Sequence, residues 1–242
     1  MAFNNAKVQR LRRLLGRRSS RSDEGAFVVE GGQLVSEAVD AGWDVEAEFV
    51  VAGTSPVSGA RAFELAPGVI ERVASTETPQ PILAVVRIPS PALDPGRAGF
   101  VLVADRLSDP GNLGTILRSA EAAGIEAVAL TDGSVDPFNP KVVRASAGAL
   151  FRVPVVEWSI DVVRAAGLRT IGTSSHRGAA HTDADWTGRV AIVVGNEARG
   201  LADEAPIDEW VMIRHRGRAE SLNVAMAATV LCFEAARQRE IG

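Results

Sequence analysis

From about Gly99 onward the chain repeats one pattern: a short continuous run of apolar, often β-branched residues, a helical stretch, then another run. The runs are Phe100–Ala104, Ala127–Leu130, Val153–Val156, Thr170–Thr173, Val190–Val194 and Trp210–Ile213. A strand that is apolar at every position, rather than at alternate ones, suits burial on both faces, as in a parallel sheet covered by helices. The pattern therefore predicts an α/β fold with a parallel sheet. Sheets of this kind take ligands in the loops beyond the carboxyl ends of their strands.

The first 90 residues read differently. A basic segment is followed by Phe27-Val28-Val29-Glu30-Gly31-Gly32, a helical pattern from Gln33 to Ala41, and apolar strands near Phe49–Val51 and Ile82–Ile88. Pro89, Pro91, Pro95, Gly96 and Gly99 then cluster as a linker signal. The expected division is a first domain over 1–90, a linker over 91–98 and a second domain over 99–242.

Hydrophobic residues make up 46% of the chain, enough for a sizeable core. The single cysteine, Cys232, excludes an internal disulfide and points to a reducing cytoplasm. No apolar run approaches the roughly 18–20 residues of a membrane span. Arginines stand where a signal peptide would have its apolar stretch, so a cytoplasmic location is expected. Net charge is −4, but residues 1–21 hold seven basic side chains and no acidic one: Lys7, Arg10, Arg12, Arg13, Arg17, Arg18 and Arg21. The remainder carries 19 basic against 30 acidic side chains, a balance of −11. A basic arm on an acidic body suits phosphate contact, with a solvated basic helix as the plain alternative.

Three loops after strands carry unusual residues. The first, Asp105 to Arg118, offers Asn112 as a helix N-cap and Gly124 as a C-terminal stop. Ile116, Leu117, Ala120 and Ala123 share one face of the helix between them, while Arg118 lies about 200° from Ile116 and projects away from that face. The second, Gly195-Asn196-Glu197-Ala198-Arg199-Gly200, places glycines on either side of an Asn-Glu pair, where a ligand can approach the backbone. Glu197 is suited to accept hydrogen bonds from a hydroxyl or hold a guanidinium, or simply to favour a helix amino terminus. The third, Arg214 to Asn223, leads into a helix reaching about Arg237. Leu222, Val224, Ala225, Met226, Val230, Leu231 and Phe233 cover that helix almost all round, which predicts a buried helix, with Ser221 as its cap.

Taken together, Asp-Pro-x-Asn-x-Gly-x-Ile-x-Arg, Gly-Asn-Glu-x-x-Gly-Leu and Glu-Ser-Leu-Asn-Val resemble, in order, the three motifs of the SpoU/TrmH family of the SPOUT class. Its members are RNA ribose 2′-O-methyltransferases that use S-adenosylmethionine. The resemblance covers Gly99–Gln238. More weakly, Phe27–Gly32 and Ser75-Thr76-Glu77-Thr78-Pro79-Gln80 resemble the family's ribosomal-protein-like (L30e-like) RNA substrate-binding domain.

The resemblance implies a SPOUT-type parallel sheet with a carboxyl-terminal trefoil knot, and a homodimer with its active site close to the interface. It implies a cofactor held by backbone groups of Gly195, Ile213 and Leu222, with the strand end near Thr173 a weaker candidate. Arg118 matches the family's catalytic arginine, and Asn112, Glu197, Ser221 and Asn223 match its other polar positions. A guanidinium, with a pKa above about 12, is a poor base. Arg118 is therefore expected to hold a target phosphate and orient the 2′-hydroxyl. RNA contacts are expected from Arg10, Arg12, Arg13, Arg17, Arg18, Lys141 and Arg144, and no metal is expected.

The chain departs from the family at Ile213-Arg214-His215, where many relatives have Ile-Pro-Met. That substitution adds charge beside the cofactor loop. The phrase Gly217 to Asn223 resembles the actinobacterial thiostrepton-resistance branch, which makes 23S ribosomal RNA the expected substrate. The alternatives are a tRNA 2′-O-methyltransferase or a catalytically inactive RNA-binding or ribosome-assembly protein on the same fold. A nucleotide-cofactor oxidoreductase is rejected, because only Gly111-Asn112-Leu113-Gly114 stands where Gly-x-Gly-x-x-Gly is needed.

Overall fold

A computed structural model describes residues 1–90, 93–218 and 220–241. In chain order its elements are α1 (Ala6–Gly16), α2 (Arg18–Glu24), β1 (Ala26–Glu30), α3 (Gly32–Asp40), β2 (Val45–Val51), β3 (Arg61–Leu65), α4 (Ile70–Val73) and β4 (Ile82–Arg87). There follow β5 (Phe100–Ala104), α5 (Pro110–Ala122), β6 (Ala127–Leu130), α6 (Pro140–Ala145), β7 (Val155–Val156) and α7 (Ile160–Ala165). The last are β8 (Arg169–Thr173), β9 (Ala179–Ala180), β10 (Val190–Val194), β11 (Glu209–Met212) and α8 (Val224–Ile241).

The chain forms two compact units. The first comprises Met1–Ser90 together with Asp136–Phe151, and the second Pro91–Val135 with Arg152–Gly242. The segment Asp136–Phe151 thus packs with the first 90 residues, where the sequence expectation kept it in a continuous second domain. Of the expected linker, residues 91 and 92 lie outside the described residues, and Pro95–Arg97 forms one 3-10 turn capped by Asp94.

In the first unit the strand order is β1-β4-β2-β3, with β4 antiparallel to both neighbours and β3 parallel to β2. Val8, Leu11 and Leu14, at helical spacing on α1, are fully buried against a core that includes Val28, Phe49, Leu83 and Val85. Adjacent residues of a strand face opposite sides. Phe27, next to Val28, instead meets Trp43, Phe138 and Phe151, with ring centroids 5.9, 4.9 and 6.5 Å away. The last two rings come from the inserted segment and explain why it belongs to this unit. A second anchor is the buried Arg21, whose Nε donates to Asp136 Oδ2 at 2.7 Å.

In the second unit seven strands, all paired in parallel, run in the order β7-β6-β5-β10-β8-β11-β9. Central β5 and β10 are buried at every position, as their composition requires.

Two helix starts differ from expectation. Helix α5 begins at Pro110 and is capped by Asp109, whose Oδ1 accepts from Asn112 N at 2.9 Å, so Asn112 is not the cap. Proline fits the first helical position, where its missing N–H leaves no bond unmade. Helix α8 begins at Val224 and is capped by Asn223, not Ser221: Asn223 Oδ1 accepts from Ala225 N at 2.9 Å and Met226 N at 3.3 Å. Nor is α8 buried all round. Ala225 and Leu231 are buried, but Met226, Val230 and Phe233 are 62%, 38% and 48% exposed. Spaced i, i+4, i+7, they form a continuous apolar stripe.

Candidate active site

The loops that end β5, β8, β10 and β11 converge on one end of the second unit. Arg106, in the turn leaving β5, has φ +50. Its carbonyl accepts from Asn196 Nδ2 at 2.8 Å, which ties the first loop to the second. Asn196 also folds its own loop, accepting at Oδ1 from Ala198 N at 3.0 Å. Gly195 and Gly200 approach so closely that a Cβ on Gly195 would stand 2.2 Å from the Gly200 carbonyl carbon. Only glycine fits there.

Glu197 is the hub. Its carboxylate accepts from Ser108 N (3.1 Å), Ser108 Oγ (2.7 Å), Asp109 N (2.8 Å) and Asn112 Nδ2 (3.0 Å). Partial burial opposes ionisation, but the bonds from Asp109, Ser108 and Asn112 outweigh it and bring the pKa down to about 2. Glu197 is thus a permanent carboxylate at neutral pH and a fixed acceptor rather than a proton acceptor. From Asn112 the chain of bonds continues: Asn112 Oδ1 accepts from Asn223 Nδ2 at 3.0 Å, and Asn223 caps α8. Three loops far apart in sequence are joined by three side chains.

Beside this network lies a pocket of about 580 Å³. Its walls come from Thr173 at the end of β8 and Ser174 after it, Gly195–Asp203 after β10, Trp210 and Val211 in β11 with Ile213 just beyond, then His215, Glu220–Leu222 and the start of α8. Gly195, Ile213, Leu222, Glu197, Ser221 and Thr173 therefore share one cavity, while Asn112 and Asn223 brace it from outside. Arg118 is exposed, is not among the lining residues, and has no ion pair among the described residues. His215 lines the cavity, and Arg214 turns towards Asp183 at 4.0 Å. Ala219, within the third loop, lies outside the described residues. The one cysteine, Cys232, is buried, and burial pushes its thiol up to about 12, so it is no nucleophile.

The sequence reading overlooked Arg177 and Trp210. The Arg177 guanidinium stacks 3.6 Å from the centroid of the Trp210 ring and pairs with Asp203 at 3.2 Å, closing one wall of the pocket. The glycine after it was the available signal: a Cβ on Gly178 would stand 2.2 Å from Trp210 O.

The residues expected to touch RNA are dispersed within the first unit. Arg10 is held between Glu24 (2.5 Å) and Glu46, its charge fixed chiefly by Glu46. Arg13 stands 3.7 Å from Glu24, and Arg12, Arg17, Arg18 and Lys141 are exposed. Arg144 Nη1 donates to Ser75 Oγ at 2.6 Å and lies 3.9 Å from Glu30. Glu30 is buried and accepts from Thr76 Oγ1 at 2.6 Å and Gln80 N at 3.1 Å, so the two phrases Phe27–Gly32 and Ser75–Gln80 meet.

Residues 99–233 match the SpoU rRNA Methylase family, and residues 5–84 match the MRM3-like substrate binding domain. The chain belongs to the SpoU family. It is 35% identical to the 23S rRNA (guanosine(2553)-2′-O)-methyltransferase RlmP of Bacillus subtilis, over 96% of this chain and 97% of that protein. It is 34% identical to the 23S rRNA (uridine(2479)-2′-O)-methyltransferase of Streptomyces viridochromogenes, over 98% of this chain and 92% of that one. The crystal structure of the SpoU methyltransferase AviRb of the same organism, in complex with AdoMet, superimposes with a TM-score of 0.89 at 32% identity, covering 99% of this chain and all of that one. No helix among the described residues is long and apolar enough to cross a membrane.

Proposed function

We propose that this SpoU protein transfers a methyl group from S-adenosylmethionine to a ribose 2′-hydroxyl of RNA, with 23S ribosomal RNA as substrate. The observation that carries the reading is the bond chain Glu197–Asn112–Asn223 at the rim of the pocket. It joins the three family motifs in one arrangement beside the pocket.

The pocket fits the cofactor. Its volume falls in the few-hundred-Å³ range of small-molecule sites, and its walls mix backbone groups around Gly195 with apolar surface from Ile213 and Leu222. When bound there, the cofactor supplies an activated methyl group. Gly195, Ile213 and Leu222 hold it through backbone groups, with Ser221 at the rim. The protein's remaining task is to align the ribose hydroxyl and manage one proton. Arg118, always charged, holds a phosphate next to the target ribose and orients the hydroxyl. Glu197, ionised and fully engaged, keeps Asn112 and the start of α5 in register with the pocket.

The protein acts as a homodimer. The apolar stripe of Met226, Val230 and Phe233 supports this, since exposed apolar residues in a row need a covering surface. Arg118, exposed and outside the pocket of its own chain, is consistent with a site completed by a second copy. The interleaved strand order β10-β8-β11 and the tight crossings at Gly195 and Gly178 support a trefoil knot in the second unit. The four-stranded first unit, with its matched substrate-binding segment, acts as the ribosomal-protein-like RNA-binding domain. Cytoplasmic placement follows from that substrate.

Calorimetry with S-adenosylmethionine, paired with methyl transfer to unmodified ribosomal RNA, tests the reading. Binding with transfer that Arg118→Ala reduces at least about 100-fold supports it. Absence of both binding and transfer favours a catalytically inactive assembly protein.

A further inference from the structure

Two half-buried phenylalanines of the first unit are each bracketed by two cations. Arg12 and Arg72 lie over the Phe3 ring, at 4.8 and 3.7 Å from its centroid, and Lys7 and Arg61 lie over Phe63, both at 5.0 Å. The four come from α1, β3 and α4, and all four are exposed. Phe3 and Phe63 pack against the same core, and Met1 is bonded at the edge strand β3 that carries Phe63: its ammonium donates to Glu64 O, and its carbonyl accepts from Ala66 N at 2.8 Å.

Among the described residues none of the four forms an ion pair. Glu64 and Glu71, their acidic neighbours in sequence, engage none of them. This contrasts with Arg10, Arg13 and Arg21 nearby, each of which has found a carboxylate. Ring stabilisation alone does not explain the pattern. One cation satisfies the face of a ring, while a second beside it adds like-charge repulsion. That repulsion is relieved when a polyanion binds across the group. Half-exposed rings between cations are also the combination on which unpaired bases stack.

We propose that Lys7, Arg12, Arg61 and Arg72, set around Phe3 and Phe63, form an RNA-docking surface of the first unit that grips the phosphates of a single-stranded or looped segment of the substrate. This rests on the reading of the protein as an RNA methyltransferase and deepens it. Of the basic arm it keeps Lys7 and Arg12, adds two arginines remote in sequence, and leaves Arg10 and Arg21 as internal pins.

The test uses the full-length protein and an unmodified 23S rRNA transcript. Binding is measured at several salt concentrations for the wild type, for Lys7→Gln/Arg12→Gln/Arg61→Gln/Arg72→Gln, and for the charge-keeping Arg12→Lys/Arg61→Lys/Arg72→Lys. Each single-strand phosphate contact contributes about 0.7 to the slope of log K against log salt, so the glutamine variant should be shallower by roughly 3 and bind at least about tenfold more weakly. Its affinity for S-adenosylmethionine should be unchanged, and the lysine variant should retain the wild-type slope. A glutamine variant with wild-type slope and affinity overturns the proposal. So does a lysine variant that loses as much as the glutamine one with a lowered Tm, since the arginines would then be structural. Charge-dependent binding to phosphatidylglycerol vesicles, with the RNA slope unaltered, would reassign the surface to lipid and also overturn it. If the wild type methylates the transcript while the variant is undiminished, the surface alone fails. If the wild type neither binds nor methylates RNA, the functional reading itself fails and the surface with it.

Discussion

Asn223 Nδ2 donates to Asn112 Oδ1 at 3.0 Å across 111 positions of sequence, and the same Asn223 caps α8 through its own Oδ1. One carboxamide therefore serves both its own helix and the start of α5. Asn223→Ala should cost about 1 kcal/mol of stability through the lost cap and about 100-fold in methyl transfer through misplacement of Asn112. Asn223→Asp keeps the cap but cannot donate to Asn112, so thermal unfolding should recover while transfer does not. Recovery of both would show that the bond between the two asparagines is dispensable.

Glu197 makes a prediction about pH. Its pKa is lowered from the ordinary 4.5 to about 2, so its stabilising bonds are fully present above pH 4.5 and are lost as the pH falls towards 2. Acid unfolding of Glu197→Gln should be flatter than wild type over that window. At neutral pH, Glu197→Gln should reduce transfer without changing the shape of the pH–rate profile between pH 6 and 9, because Glu197 does not titrate there. An acidic limb that disappears in the variant would mean that Glu197 is a base.

Gly195→Ala tests the tightest crossing. With a Cβ 2.2 Å from the Gly200 carbonyl carbon, the loop must shift, and the pocket with it. Cofactor affinity measured by calorimetry should fall at least tenfold, with Tm lowered. Gly188→Ala, where nothing lies within 4 Å but φ is +71, should lower Tm slightly and leave cofactor affinity alone.

The stripe on α8 bears on assembly. Phe233→Glu places a charge at one end of the stripe Met226, Val230 and Phe233, and should convert the proposed dimer to monomer in sedimentation, with helical content retained. A wild-type monomer at micromolar concentration would remove the dimer from the account.

How far the sequence could be read depends on where each residue spends its hydrophobicity. Strands β5, β6 and β10 were legible to the residue because burial on both faces leaves no polar position to blur their ends. Edge strands β3 and β9 were not. β3 carries Arg61 and Glu64 on exposed positions, and β9 is two residues long. Asn112 was read as the cap because asparagine is a favoured N-cap residue, but Pro110 makes Asp109 the cap, and the Asn112 side chain bonds Glu197 instead. The burial of α8 was overestimated because apolar residues all round a helix do not reveal which of its faces the chain itself covers. The excursion of Asp136–Phe151 into the first unit depends on Phe138 and Phe151 meeting Phe27 and Trp43, a tertiary match without a local signature. The motif residues were found by resemblance, and their geometry was not visible until Glu197 was seen to join Ser108, Asp109 and Asn112.

The central claim is ribose methylation of a ribosomal RNA. The most direct measurement incubates the protein with labelled S-adenosylmethionine and unmodified total RNA, then maps the label by primer extension sensitive to 2′-O-methylation. One 2′-O-methyl site is expected, in 23S ribosomal RNA, lost with Arg118→Ala. Label confined to transfer RNA, label on a base rather than a ribose, or cofactor binding with no label on RNA or assembling ribosomal particles would contradict it.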